Sequence, residues 1–162
     1  ELLVGLDRAL DALAAMRRQE GARLCSVLVE HLERITALCA RAETLAANQP
    51  AAILERLRQQ ITALGDSVPP LPEERLAQEV ALLATKADTR EELDRLQSHL
   101  GAVRVLLSGD GAVGRRLDFL CQELNRETNT LCSKSSDVEL TAIGVELKAV
   151  IEQFREQVQN IE

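Results

Sequence analysis

The run GRRLDFLCQELNRETNTLCSKS, residues 114–135, decides the fold class and points to where function sits. Leu117, Leu120, Leu124 and Leu131 recur at steps of three, four and seven, with Cys121 beside them. That spacing lays them along one stripe of a helix. The remaining positions crowd Asp118, Gln122, Glu123, Asn125, Arg126, Glu127 and Asn129 onto the same segment. A helix that needs only solubility can use any charged residue there. Amides and aspartate are mediocre helix formers with directional hydrogen-bonding groups. Such a ridge reads as a surface that binds something, and the rest of the chain reads mainly as scaffold.

Composition extends the helical reading to the whole chain. Of 162 residues, 46% are hydrophobic, yet there are two Phe, no Trp and no Tyr. Leu and Ala carry the core, both strong helix formers, and β-branched runs of strand length are missing. The fold class expected is all-α. The net charge of −7, from 19 basic and 26 acidic residues, argues against binding nucleic acid through charge alone. It leaves room for a metal-dependent site, where carboxylates hold cations and cations meet phosphate. Cys25, Cys39, Cys121 and Cys132 form no C-x-x-C pair, so they read as reduced, buried, small apolar residues rather than a zinc site. No apolar stretch approaches the ~20 residues of a membrane span, and no signal peptide is evident. The expectation is a cytoplasmic protein with no membrane partner. The chain starts at Glu1 in helical pattern rather than at Met, which reads as a fragment.

Six helices are expected. Leu3, Leu6, Leu10, Leu13, Leu24, Leu28, Ile35 and Leu38 mark a long amphipathic helix of coiled-coil character to about residue 47. Asn48-Gln49-Pro50 reads as a stop and restart, giving a shorter helix to about residue 64. Residues 1–66 are thus expected to form a helical hairpin, a coiled-coil-like arm that projects from the rest. The proline-rich loop at residues 65–72 separates it from a four-helix region at 72–162. Pro72-Glu73-Glu74 opens the third helix. Thr89-x-x-Glu92 and Ser136-x-x-Glu139 read as capping boxes, and Ser108-Gly109-Asp110-Gly111 as a stop. Long helices joined by tight turns should pack as antiparallel hairpins into a bundle.

Two groups could carry chemistry. Glu92, Arg95 and His99 fall on one helical face, where a carboxylate and an imidazole could hold a divalent metal or move a proton. The plainer alternative has Glu92 capping its helix and Glu91 pairing with Arg95. Glu123 and Glu127, one turn apart, could present oxygens to Mg²⁺ or Mn²⁺, or could be solvated with Arg126 paired to Glu123. Residues 111–135 hold four basic and three acidic side chains, so phosphate contact through Arg115, Arg116, Arg126 and Lys134 fits here better than elsewhere. No Gly-rich phosphate loop, nucleophile elbow or H-E-x-x-H motif is present.

Three stretches carry a resemblance. GRRLDFLCQELNRETNTLCSKSSD, ERLAQEVALLATKADTREELDRLQSHL and VELKAVIEQFREQVQNIE closely resemble the C-terminal region of the YicC/YloC family, bacterial proteins long called stress-induced and now regarded as endoribonucleases. The resemblance is strong from about Glu73 onward. It implies metal-dependent cleavage of single-stranded or loosely structured RNA, not DNA, by a homo-oligomer, a hexameric ring. It also implies an N-terminal domain that this chain lacks. On that basis Glu92, His99, Glu123 and Glu127 are expected to hold Mn²⁺ or Mg²⁺ and, with Arg126, to form the catalytic group. Arg95, Arg115, Arg116, Arg126 and Lys134 are expected to meet phosphate, while Glu79, Asp88, Asp118 and Asn125 orient neighbours. Cys121 and Cys132 depart from the family pattern, where a larger apolar residue and a glycine are expected. The competing expectation is a helical oligomerisation or adaptor module without catalytic activity of its own.

Overall fold

The computed structural model describes residues 2–63, 72–109 and 111–161. The loop expected at residues 65–72 falls almost wholly outside them, and so does Asp110. The described residues are all-α, in five helices: α1 (Leu2–Ala63), α2 (Glu73–Lys86), α3 (Arg90–Ser108), α4 (Gly114–Lys134) and α5 (Val138–Val158). The turns that join α3 to α4 and α4 to α5 are short, as expected, and they fold these helices back as antiparallel neighbours.

The stop expected at Asn48-Gln49-Pro50 is absent, because α1 runs through Pro50 as one helix. Residues 1–66 therefore do not make the expected hairpin. Pro50 itself is exposed, and its missing N–H costs the helix one backbone bond. Half-buried Ile53, Leu54, Leu57 and Ile61 carry the apolar pattern on beyond it, and α1 packs against α2. Tertiary packing outweighs a local breaker that costs about 3 kcal/mol.

The expected division into arm and bundle also shifts. The middle of α1 supplies Leu28, Leu32, Ile35, Leu38, Cys39 and Ala42 to the same core as α3, α4 and α5. By contrast, α2 has no fully buried residue and lies outside that core. The four-helix core is thus α1, α3, α4 and α5, arranged in a ring in which α1 and α4 each touch both α3 and α5. Gln97 donates to Glu43 at 3.0 Å and Arg104 to Thr36 at 2.7 Å, so α3 runs antiparallel to α1. What projects is the first part of α1, where Leu3, Leu6, Leu10 and Leu13 are all exposed.

Both expected capping boxes are replaced. Asp137 rather than Ser136 caps α5, its Oδ1 accepting from the Leu140 N–H at 2.8 Å. Thr89 stands at the N-cap of α3 but makes no side-chain cap bond. Its partner in the expected box, Glu92, is drawn to the Lys134 ammonium instead, at 2.7 Å. In that bond both partners are charged, whereas the cap it displaces would set the carboxylate against a neutral N–H.

Cys39 and Cys121 are buried, and Cys25 and Cys132 are half-buried, all as free thiols. Burial pushes Cys39 and Cys121 up to about 12, with Glu43 and Asp118 adding to the respective shifts. Cys132 meets α5 at buried Gly144. A Cβ there would collide with the Cys132 sulfur and press on Leu131 Cδ2 at 3.4 Å. Gly144→Val should therefore cost about 1–3 kcal/mol in urea unfolding, the usual penalty of overpacking. Adding Cys132→Ala should recover part of it, and an unchanged midpoint in the single variant would contradict this contact.

Candidate metal centre

The site lies on the seam between α3 and α4. On α4, Arg116, Glu123, Glu127 and Lys134 recur at steps of seven, four and seven, about two turns, one turn and two turns apart. They form one row facing α3. On α3, Glu92, Arg95 and His99 form the opposing row at steps of three and four. Antiparallel packing sets the rows against each other: Glu92 against Lys134, Arg95 against Glu127, and His99 against Glu123 and Glu127.

His99, Glu123 and Glu127 converge, with one ligand atom from each within 4.8 Å of the other two. Two donors each about 2.1 Å from a shared ion sit no more than about 4.2 Å apart, so small side-chain rotations would close the set. Glu127 is 4% exposed, whereas His99 and Glu123 are half-buried. The donor set, one imidazole nitrogen and two carboxylates, fits a divalent first-row cation. Among the described residues no hydrogen bond or ion pair engages the His99 ring. Among the described residues Glu123 forms an ion pair only with Arg126, at 3.9 Å from a largely exposed guanidinium. These two donors are therefore weakly committed to other partners.

The remaining expected residues have other neighbours. Glu92 lies further along the seam and outside the cluster. One carboxylate oxygen accepts from Lys134, while the other, like Thr89 Oγ1, is buried with no hydrogen-bond partner among the described residues. Lys134, expected on phosphate, is held by Glu92 in this structure, and that hydrogen bond is the chief cause of its raised pKa. Arg95, also expected on phosphate, bridges Glu91 and Glu127, with the Glu127 contact at 3.4 Å. Its guanidinium is held further above its usual range chiefly by the Glu91 hydrogen bond. The plainer reading of Glu91 paired with Arg95 is thus also present.

Asp118 turns away from the seam. Its oxygens accept from Arg155 at 3.0 Å and Gln122 at 2.8 Å, tying α4 to α5. The Arg155 bond is the first cause of its lowered pKa. Asp88 caps the start of α3 by accepting from the Arg90 N–H at 3.0 Å. Glu79 is exposed on α2, and Asn125 is half-buried on α4. Arg115, Arg116 and Arg126 are exposed, and of these Arg116 shares the face of Glu123. The Arg95–Glu127 bridge was missed in the sequence, although an arginine at the middle of a row with carboxylates opposite it was a usable signal.

The chain is similar in sequence to known proteins. The model of the family described as endoribonuclease YicC-like, C-terminal, matches residues 28–162. A protein named probable endoribonuclease YicC from Haemophilus influenzae is 41% identical over 162 residues, covering all of this chain and 55% of that protein. One of the same name from Clostridioides difficile is 40% identical over 164 residues, covering 97% of this chain and 54% of its own length. The chain therefore spans about half the length of the curated relatives it matches. With a family model covering most of its residues, this chain belongs to the endoribonuclease YicC-like family, in the region that its C-terminal model describes.

Proposed function

We propose that this chain carries the metal centre of an endoribonuclease that cuts RNA phosphodiester bonds and works as a homo-oligomer. The observation that carries the proposal is the convergence of His99, Glu123 and Glu127 across two helices. These three side chains would hold the cation. The imidazole favours a first-row transition ion such as Mn²⁺ over Mg²⁺, which prefers all-oxygen ligands. When bound, the cation supplies charge neutralisation at the phosphoryl oxygens and activation of water.

The chain's own residues do the rest. Glu127, buried at 4% exposure, presents a carboxylate oxygen to the cluster. Arg126, exposed one position before it, can reach a phosphate lying over the seam and offset charge that develops at phosphorus. Arg116, two turns before Glu123, extends the basic track along the row. The Glu92–Lys134 bridge fixes α3 against the end of α4 and so holds the spacing between the rows. The exposed stripe of Leu3, Leu6, Leu10 and Leu13 supports contact with a further polypeptide, as an oligomer needs.

The test is cleavage of a labelled single-stranded RNA by the full-length protein with Mn²⁺, with Mg²⁺ and with EDTA. Cutting that requires a divalent cation and is stronger with Mn²⁺ is expected. Cutting that EDTA leaves untouched would overturn the metal-centre reading, and no cutting with either ion would favour the adaptor reading.

A further inference from the structure

We infer that Arg95 is a displaceable counter-ion that couples cation binding to phosphate binding. The inference rests on the reading of His99, Glu123 and Glu127 as a cation site. Glu127 is a buried carboxylate, and a buried charge needs a partner. Arg95 supplies it from outside, with a side chain 52% exposed and a guanidinium nitrogen 3.4 Å from the Glu127 oxygen. That is a long contact, and the guanidinium also donates to Glu91 on its own helix. The guanidinium thus keeps a partner at the surface, Glu91, when it gives up Glu127.

The other basic residues on the seam are placed differently. Lys134 is bound at 2.7 Å to a carboxylate outside the cluster. Arg126 touches Glu123 only at 3.9 Å, with its side chain 71% exposed. Arg95 is the seam cation set against the buried carboxylate of the cluster. A divalent cation that takes Glu127 competes with Arg95 for the same charge. It also brings like charge within a few ångströms of the guanidinium. Arg95 then gives up Glu127, stays hinged at Glu91 and offers its planar donor fork to solvent. A phosphate arriving there meets a guanidinium that is free to form two parallel bonds. The two binding events assist each other, and linkage makes the assistance reciprocal. Arg95 acts here as a phosphate-binding residue.

The experiment uses the full-length protein, Mn²⁺ followed by electron paramagnetic resonance, and a nuclease-resistant 2′-O-methyl RNA oligonucleotide. In the wild type, saturating Mn²⁺ should tighten oligonucleotide binding about fivefold or more. Arg95→Ala should bind Mn²⁺ more tightly, because the competitor is gone. Its oligonucleotide affinity should no longer respond to Mn²⁺, and Arg95→Lys should keep part of the response. Unchanged or weaker Mn²⁺ binding by Arg95→Ala, or a response equal to wild type, would overturn the role of Arg95. Glu127→Gln separates the two levels. If it binds Mn²⁺ as well as wild type does, the cation site itself fails and the coupling fails with it. If it loses Mn²⁺ while Arg95→Ala shows no gain, only the coupling fails.

Discussion

Glu127→Gln should lower kcat for RNA cleavage by the full-length protein about a hundredfold or more, with oligomer size and helical content unchanged. Removing one electrostatic contributor from an enzyme site typically costs a factor of this order. The substitution keeps the shape and removes one charge. Glu127 is 4% exposed, and a carboxylate in such a place is worth more to a cation than one in water. The same change removes the charge from Arg95's second partner and leaves a neutral acceptor there. That guanidinium is half exposed and retains Glu91, so the fold should lose little. Turnover within a few-fold of wild type would remove Glu127 from the reaction and direct attention to the part of the longer protein that this chain does not include.

Ile35→Ala should destabilise the 162-residue chain by about 2–5 kcal/mol, while Leu10→Ala should stay within about 0.5 kcal/mol. Ile35 is fully buried among residues of α3, α4 and α5, and truncation leaves a cavity that a packed interior fills only partly. Leu10, on the same helix, is 55% exposed. The contrast tests the correction to the arm. If α1 were a separate hairpin, Ile35 and Leu10 would both serve that hairpin, and the two losses would be alike. Denaturant unfolding of both variants reads the difference, and equal losses would contradict the placement of α1 in the core.

Much of the fold was legible because local and tertiary signals agree over α3, α4 and α5. Their apolar stripes, from Leu93 to Val158, are the residues the structure buries. The failures fall where those signals conflict. Pro50 is a strong local breaker, yet Ile53, Leu57 and Ile61 continue an apolar row that packing rewards. The apolar period prevails over the proline. The capping box at Thr89 failed for a related reason. Sequence spacing pairs Glu92 with its own helix, whereas Lys134, 42 residues away, is nearer in the fold and carries a charge.

The site was legible in outline. Helical spacing put Glu92, Arg95 and His99 on one face and Glu123 beside Glu127 on another, but it could not say which residues would meet. That depends on the register between two antiparallel helices. The register pairs His99 with the two glutamates and leaves Glu92 to Lys134. It also turns Asp118, read as part of the ridge, toward Arg155 on α5, where it ties helices together. A ridge rich in polar groups thus divides into a side facing α3 and a side holding α5.

The most direct test of the metal centre is anomalous diffraction from crystals of the full-length protein grown with saturating Mn²⁺. A peak within bonding distance of a His99 ring nitrogen and of carboxylate oxygens of Glu123 and Glu127 is the predicted result. An ordered seam at which those three side chains show no peak, while Mn²⁺ is bound elsewhere and RNA is still cut, would contradict the account.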